Sequence, residues 1–160
     1  MEHSAVIWAT AEGKKKLEKK HEDLISRRAE IAEQIKVARE FGDLKENAEY
    51  AAAREAQNLL ETDIGNSEDM LTRIKVFSYS KADTSRVNIG TRVKLENVAN
   101  KAVVEYVITG ILESDIEHGY LSNESPIGSA LLGKKIKDEV EVKVPAGKIK
   151  YKVVKISAGA

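Results

Sequence analysis

The first 77 residues carry their apolar side chains in two narrow stripes with helical spacing. The first stripe repeats every seven residues and consists of Leu17, Leu24, Ile31 and Ala38, with Ile35 on the same face. The second stripe is spaced by 7, 4, 3, 4 and 3 residues and consists of Ala53, Leu60, Ile64, Ser67, Leu71 and Ile74. Narrow stripes are typical of two helices that pack along one seam. We therefore predict a long antiparallel α-helical hairpin, a two-helix coiled coil.

Polar and small residues predict where the two helices begin and end. Thr10 can cap the first helix, because a threonine side chain accepts a hydrogen bond from a free amide of the first turn. Gly42 can end it, because glycine adopts the left-handed conformation without steric cost. Ala11 lies 31 residues before Gly42, and Ile74 lies 31 residues after Asp43. The hairpin would then close evenly, with arms of about 45 Å at 1.5 Å per residue and its tip at Gly42-Asp43.

After Phe77 the pattern of apolar positions changes to period two, which indicates β-strands. Strands are predicted over residues 91–96, 103–109, 140–144 and 148–156, with the last two joined by the turn P-A-G at 145–147. A short helix is predicted between the second and third of these strands. Ser125 would cap it, Pro126 would be its first residue, and Gly133 would end it. The predicted fold class is α+β, a helical hairpin followed by a small antiparallel sheet with one helix.

These patterns divide the chain into three predicted parts. Residues 1–77 form the hairpin, residues 78–85 form a polar linker with the sequence S-Y-S-K-A-D-T-S, and residues 86–160 form the C-terminal domain. Two small domains are consistent with a chain of 160 residues.

Composition excludes several classes of protein. The chain has no cysteine, so it has neither disulfides nor thiolate chemistry. No apolar run approaches the roughly 20 residues that a membrane span needs, and the first residues do not resemble a signal peptide. We expect a cytoplasmic protein without a membrane partner. The net charge is 0, which argues against the strongly basic surface of a duplex-DNA binder.

The stretch F-G-D-L-K-E-N at the predicted tip contains two carboxylates at capping-box spacing. In that interpretation Asp43 caps the second helix and Glu46 reaches back to it. Capping does not exclude ligand binding, because a carboxylate has about four lone-pair sites and a cap uses one or two. Oxygen atoms of this kind also suit a hard cation such as Mg²⁺. Two carboxylates would have to complete a magnesium site that another molecule mostly supplies.

Two arginines, Arg39 and Arg54, lie within three turns of the predicted tip. Their spacing favours surface ion pairs with Glu40, Glu46 or Glu55. The alternative is a pair of phosphate-binding residues, because the guanidinium group matches phosphate oxygens. The sequence alone leaves both interpretations open.

Four segments of the chain carry a resemblance to a known family. They are T-A-E-G-K-K-K-L at 10–17, A-R-E-F-G-D-L-K-E-N-A-E-Y-A-A-A-R-E at 38–55, S-P-I-G-S-A-L-L-G-K at 125–134, and V-E-V-K-V-P-A-G-K-I-K-Y-K-V-V-K-I at 140–156. The chain resembles the bacterial Gre transcript cleavage factors of the GreA type. The resemblance covers nearly the whole chain, and its tip segment is highly specific.

The resemblance implies a role at the active site of bacterial RNA polymerase. The hairpin would enter the secondary channel of a backtracked, arrested polymerase. There Asp43 and Glu46 match the acidic pair that helps to hold the second catalytic Mg²⁺ and its attacking water. The polymerase then cuts its own transcript, so the chain would be a cofactor of the polymerase and not an enzyme. It would share this Mg²⁺ with the polymerase and bind none stably alone.

The resemblance also implies roles for residues outside the acidic pair. Arg39 and Arg54 match positions near a basic patch that meets the extruded 3′ end of the nascent RNA. The C-terminal domain would be FKBP-like, without isomerase activity, and would bind the polymerase at the rim of the channel. Ser125, Pro126 and Ile127 fall in its matching segment. The chain would act as a monomer.

Two features depart from the family pattern, and two rival functions remain. His21 replaces a more usual leucine, and we expect it to be a partly buried seam residue. Gly65-Asn66 is expected to interrupt the second helix, at a cost of about 1 kcal/mol relative to alanine. The rivals are a channel-binding transcription inhibitor of the same fold, and a structural or tRNA-binding helical hairpin.

Overall fold

The structure is a computed structural model of the chain that describes residues 5–43 and 47–160. Its contacts divide the chain into two compact units. The first, the hairpin unit, is Lys14–Arg73. The second, the sheet unit, comprises the described residues up to Gly13 together with Ile74–Ala160. This division differs from the predicted ranges 1–77, 78–85 and 86–160, whose behaviour as domains stays a prediction.

The hairpin is formed by helices α1 (Ala11–Arg39) and α2 (Ala48–Arg73). Their buried residues are those of the two predicted stripes: Leu17, Leu24, Ile35 and Ala38 on α1, and Ala53, Leu60, Ile64 and Ser67 on α2. Leu24, Leu60 and Ile64 form one apolar cluster, against which the half-buried Ile31 packs. The predicted seam between the helices is therefore confirmed, although the last residue of the second stripe, Ile74, belongs to a strand.

Two polar contacts cross the seam and fix the antiparallel register of the helices. Arg28 donates from Nε and Nη2 to the two carboxylate oxygens of Glu61, each at 2.8 Å. This hydrogen-bonded guanidinium lowers the pKa of Glu61. Nearer the other end of the helices, His21 Nδ1 lies 2.6 Å from Ser67 Oγ. His21 is thus half-buried at the seam, as predicted. The Arg28–Glu61 pair was not predicted.

The predicted interruption of α2 at Gly65-Asn66 is wrong. The helix runs without a break from Ala48 to Arg73. Gly65 faces open space, where an added Cβ would meet nothing within 4 Å. A glycine at an exposed helical position lowers the helix propensity without removing a packing contact, and the seam residues Ile64 and Ser67 on either side remain buried.

The sheet unit includes a short parallel sheet that was not predicted. Strand β1 (Ile7–Ala9) pairs with β2 (Ile74–Val76). Beside it, a Cβ on Gly110 would lie 1.6 Å from the carbonyl oxygen of Trp8, so only glycine allows this approach.

Thr10 caps the first turn of α1 as predicted. Its Oγ1 accepts a hydrogen bond from Gly13 N at 3.0 Å. The backbone amide and the hydroxyl of Thr10 both donate to Glu113 Oε1, at 2.9 and 2.8 Å. A carboxylate at the start of a helix also interacts favourably with the helix dipole. The cap therefore ties the chain before α1 to a residue about a hundred positions later in the same unit.

The main sheet has five strands in the order β5-β4-β3-β7-β6. They are β3 (Thr91–Asn97), β4 (Val103–Thr109), β5 (Tyr120–Ser122), β6 (Glu139–Val144) and β7 (Gly147–Ala158). The four strands predicted from alternation are all present. The expectation of a wholly antiparallel sheet is wrong, because β5 pairs parallel with β4. The chain reaches β5 through two short 3-10 helices, Ile111–Glu113 and Ile116–His118, which allow the return needed for a parallel pair.

One face of this sheet forms the core with helix α3 (Pro126–Leu131). Its fully buried apolar residues are Val87, Val93, Leu95, Ile108, Leu131, Val142 and Val153. Ser125 caps α3 by accepting a hydrogen bond from Gly128 N, with Pro126 in the first turn, as predicted. The predicted α+β fold class is confirmed.

The segment predicted as a polar linker packs onto the sheet unit. It contains a 3-10 helix, Tyr79–Lys81. The hydroxyl of Tyr79 lies 3.0 Å from Thr109 Oγ1, and its ring meets that of Phe77 edge-on at 5.1 Å. Burial raises the pKa of Tyr79. This aromatic contact was not predicted from the sequence, because residues 78–85 are mostly polar.

The outer face of the sheet sets like charges opposite each other at one position and opposite charges at another. Lys94 on β3 lies directly opposite Lys155 on β7. Three residues earlier on β7, Lys152 lies between Glu96 on β3 and Glu139 on β6. Directly opposed like charges are destabilising in a sheet, whereas opposite charges are stabilising.

Reversing the charge of Lys155 should therefore stabilise the fold, whereas reversing the charge of Lys152 should destabilise it. Lys155→Glu should raise the free energy of unfolding by about 0.2–1 kcal/mol, because it places a carboxylate opposite Lys94. Lys152→Glu should lower it by a similar or larger amount, because it faces two glutamates. The two variants have the same net charge, so the difference between their midpoints of urea unfolding reports the local pairing of charges on neighbouring strands. A shift of the same sign in both would contradict this account.

Candidate functional site

The hairpin tip begins where α1 ends. The chain leaves the helix through two last backbone hydrogen bonds, Glu40 N to Val37 O at 3.1 Å and Phe41 N to Ala38 O at 3.2 Å. Gly42 then has φ +124°, a backbone conformation that side chains with a Cβ rarely adopt. Gly42 is therefore the residue that turns the chain away from α1, as predicted.

Asn47 is the residue that starts α2. Its Oδ1 accepts a hydrogen bond from Tyr50 N at 3.0 Å, which is the bond of an N-cap residue. Its Nδ2 donates to the carbonyl oxygen of Ala38 at 2.5 Å. One side chain thus satisfies an amide at the start of α2 and a carbonyl near the end of α1, and it closes the tip of the hairpin.

The prediction that Asp43 caps the second helix is wrong. Helix α2 begins at Ala48, five positions after Asp43, and the cap is Asn47. Glu46, the other member of the predicted capping box, lies outside the described residues. An asparagine can both accept from Tyr50 and donate to Ala38, whereas an ionised aspartate can only accept. That difference explains why asparagine suits this position.

Asp43 lies beside the cap of α2, which Asn47 supplies. Asp43 is exposed and lines an open hollow of about 410 Å³ at the tip. The other lining residues are Phe41, Asn47, Ala48 and Glu49. Oxygen ligands of this kind suit Mg²⁺, which usually takes one or two carboxylates from a protein and its other ligands from elsewhere. Within residues 5–43 and 47–160, no group of three or more His, Cys, Asp or Glu could hold a metal ion.

Both candidate arginines are exposed on the hairpin. The guanidinium of Arg39 lies 5.9 Å from the centre of the Tyr50 ring, a cation–π contact across the tip. Over the part of the chain that the structure describes, neither Arg39 nor Arg54 forms an ion pair. The expected surface pairs with Glu40 and Glu55 are therefore not formed, and the third expected partner, Glu46, lies outside the described residues.

The third set of candidate residues belongs to the sheet unit. Ser125 is occupied as the cap of α3, Pro126 is exposed, and Ile127 is half-buried against the core. A Cβ on the neighbouring Gly128 would lie 2.1 Å from Ser122 O, so glycine is required there. The segment is a rigid, partly exposed corner of that unit.

Sequence reasoning missed three residues of the tip: Phe41, Asn47 and Tyr50. Asparagine directly before an alanine-rich helical segment is a recognised capping signal, so Asn47 could have been named as a candidate cap beside Asp43. The contact of Tyr50 with Arg39 depends on how the two helices face each other, which the sequence pattern does not specify. In the described residues, no helix is long and apolar enough to cross a membrane.

Comparison with known proteins identifies the family. Residues 7–76 match the family model "Transcription elongation factor, N-terminal", and residues 82–158 match "Transcription elongation factor, GreA/GreB, C-term". The GreA of Thermoanaerobacter pseudethanolicus is 47% identical over 96% of this chain and 98% of its own length. The GreA of Clostridioides difficile is 43% identical over 98% of this chain and 99% of its own.

The chain therefore belongs to the GreA/GreB family of transcription elongation factors. The predicted family resemblance is confirmed. Among solved structures, the GreA factor homolog 1 protein of Thermus thermophilus aligns with a TM-score of 0.43 and 23% identity, covering 95% of this chain and 99% of that one.

The two bonds of Asn47 can be separated by mutation. Asn47→Ala should lower the free energy of unfolding by about 1 kcal/mol or more, because it removes the cap of α2 and the bond to Ala38. Asn47→Asp keeps the cap but replaces the donor with a carboxylate oxygen that faces the carbonyl oxygen of Ala38. It should therefore lie between wild type and Asn47→Ala in helix content and thermal midpoint. If Asn47→Ala is as stable as wild type, Asn47 does not close the tip.

Proposed function

We propose that this chain stimulates transcript cleavage by bacterial RNA polymerase and so rescues backtracked, arrested complexes. The observation that carries the proposal is the exposed carboxylate of Asp43, which lines the open hollow at the tip of the hairpin. The relatives named above are transcription elongation factors, which supports the same partner. The hairpin would enter the polymerase's secondary channel.

The dimensions of the hairpin suit this task. Helix α1 has 29 residues, which corresponds to about 44 Å at 1.5 Å per residue. The seam is narrow, because each of the two helices buries only four of its residues. Small alanines at the start of α2, at 48 and 51–53, keep the tip end slim. A slender pair of helices with polar outer faces can enter an aqueous channel without exposing a large apolar surface.

Asp43 would act together with Glu46, which the family resemblance assigns to the same acidic pair. Both would offer oxygen atoms toward a Mg²⁺ ion shared with the polymerase's active site. When bound there, such an ion activates water and stabilises the charge that develops during phosphodiester cleavage. The chain's own contribution is to bring negative charge to that point and to hold it on a closed tip. The chain is thus a cofactor of the polymerase's own nuclease activity, acting as a monomer.

Arg39 and Arg54 would contact the phosphates of the extruded RNA. Their side chains are exposed, and Arg39 is oriented by the ring of Tyr50. Arginine binds phosphate oxygens through several fixed donors. The corner formed by Ser125, Pro126 and Ile127 would contact the polymerase at the rim of the channel.

Removing the charge of each acid while keeping its shape tests the mechanism. Asp43→Asn and Glu46→Gln should lose most stimulation of cleavage at low millimolar magnesium, because an amide carries no negative charge, and both should recover in part at higher magnesium. The measurement is the cleavage rate of a stalled, backtracked polymerase complex. Both variants should still compete with wild type for the polymerase.

The matched control is Glu30→Gln, which neutralises an exposed glutamate on α1 away from the tip. It should cleave like wild type. Asp43→Asn should also stay within about 1 kcal/mol of wild type in the free energy of unfolding, because asparagine keeps the size of the side chain and an acceptor oxygen. If Asp43→Asn or Glu46→Gln stimulated cleavage at the wild-type rate, the acidic pair would not take part in the mechanism.

The arginines are tested by the length of the extruded RNA. Arg54→Ala should weaken cleavage of long backtracks more than of two-nucleotide backtracks, because a longer extruded segment presents more phosphates to the hairpin. Arg27→Ala, an exposed arginine farther along α1, is the control and should affect both substrates equally. Equal rates for Arg54→Ala on both substrates would mean that Arg54 does not meet the RNA.

The same cleavage assay separates the rival functions. A channel-binding inhibitor would slow nucleotide addition without stimulating cleavage. A structural or tRNA-binding hairpin would bind RNA in the absence of polymerase and would not respond to magnesium.

A further inference from the structure

Phe41 is an aromatic side chain left in solvent at the tip, with 70% of its surface exposed. Burying a phenylalanine stabilises a fold by about 1.5–3 kcal/mol relative to leaving it exposed. The exposed Phe41 does not make this contribution to stability. A single exposed apolar residue is ordinary by itself. Phe41, however, stands two positions from Asp43 and lines the same hollow, which Ala48 also lines.

The backbone holds Phe41 in a defined place. Its amide donates to Ala38 O at 3.2 Å, and Asn47 is bonded to that same carbonyl oxygen. The wall of the hollow formed by Asn47 is fixed further by its bond with Tyr50 N. The ring is thus attached to the closed part of the tip, before the turn at Gly42, and it lines an opening that is already formed.

The charges around the hollow select what can enter it. Among the described residues, Asp43 and Glu49 are the charged groups that line it, so they would repel a phosphate group that has no bridging cation but not a neutral, flat group. The amide of Asn47 already uses one N–H and one oxygen lone pair, so one donor and one acceptor remain for the edge of a ligand. An aromatic face itself stacks on any flat ring.

We infer that Phe41 is a stacking platform for an unpaired nucleobase of the extruded RNA, next to the acid that acts on its backbone. This inference rests on the proposed function, which brings the 3′ segment of the transcript to the tip. Stacking of a base on an aromatic side chain contributes about 1–3 kcal/mol and tolerates every base. It would hold the RNA so that the phosphodiester to be cut lies beside Asp43.

Substitutions of Phe41 separate stacking from simple apolar contact. Phe41→Ala and Phe41→Leu should each reduce the rate of cleavage in a two-nucleotide backtracked complex by about five- to a hundredfold, the range that corresponds to one lost stack. Phe41→Trp should keep the rate, because its ring offers a larger face. Leu59→Ala is the matched control, since Leu59 is 62% exposed on α2, and it should be neutral.

Removing the base instead of the ring completes the test. Transcripts with an abasic nucleotide at one of the two unpaired positions should be cleaved equally by wild type and Phe41→Ala, because the partner of the ring is gone. If Phe41→Ala loses the same factor on intact and abasic transcripts, the ring meets a protein surface and the inference is wrong. Wild-type rates for Phe41→Leu on intact RNA would also overturn it.

A second measurement does not depend on cleavage. In an Asp43→Asn background, 2-aminopurine at the unpaired position should lose fluorescence on binding of the factor, because stacking quenches it, and Phe41→Leu should remove this quenching. Unchanged fluorescence with Phe41 present would contradict the inference. Full activity of Asp43→Asn would instead refute the proposed mechanism, so the two failures are distinguishable.

Discussion

The tip of the hairpin depends on the side chain of Asn47. It donates to a carbonyl at the end of α1 and accepts from an amide at the start of α2, so it ties together the two helix ends that face each other. Helix ends leave polar groups without partners, and these groups must be satisfied by side chains or water. Because one amide serves both ends, the capping bond of α2 comes from Asn47, and the exposed Asp43 lines the hollow beside it. The shape of the candidate site therefore depends on how the helices are capped.

Away from the tip, the hairpin relies on a seam that is apolar in its middle and polar at its flanks. Leu24, Leu60 and Ile64 exclude water there, while Arg28 with Glu61 and His21 with Ser67 allow only one register of the helices. Apolar contact alone would tolerate sliding by a heptad. A slide of that size would misalign the ends that Asn47 joins, so the register along the seam and the closure at the tip require each other.

Much of this architecture could be predicted from local patterns. The seam residues, four strands of the sheet and the capped helix α3 follow from spacing and from the conformational preferences of serine, proline and glycine. The cap of α2 could not be settled in the same way, because Asp43 and Asn47 both suit a cap, and the choice depends on the distance to Ala38 across the tip. The strands β1 and β2 are only three residues long, too short for alternation to reveal. Phe41 was not identified from the sequence, because the spacing of apolar residues predicts buried positions and gives no information about an apolar side chain that stays exposed.

The attachment of β1 has a consequence for the order in which the chain folds on the ribosome. Ile7 pairs with Ile74, and Thr10 is bonded to Glu113, 103 positions later. The helical hairpin can close from contacts within itself soon after residue 73 emerges. The first strand keeps its hydrogen-bonding edge unpaired until residues 74–76 emerge directly after the hairpin. Thr10 must wait longer still, until Glu113 has been synthesised. Such edges are prone to wrong pairing during synthesis, which gives a reason for the strand to be so short.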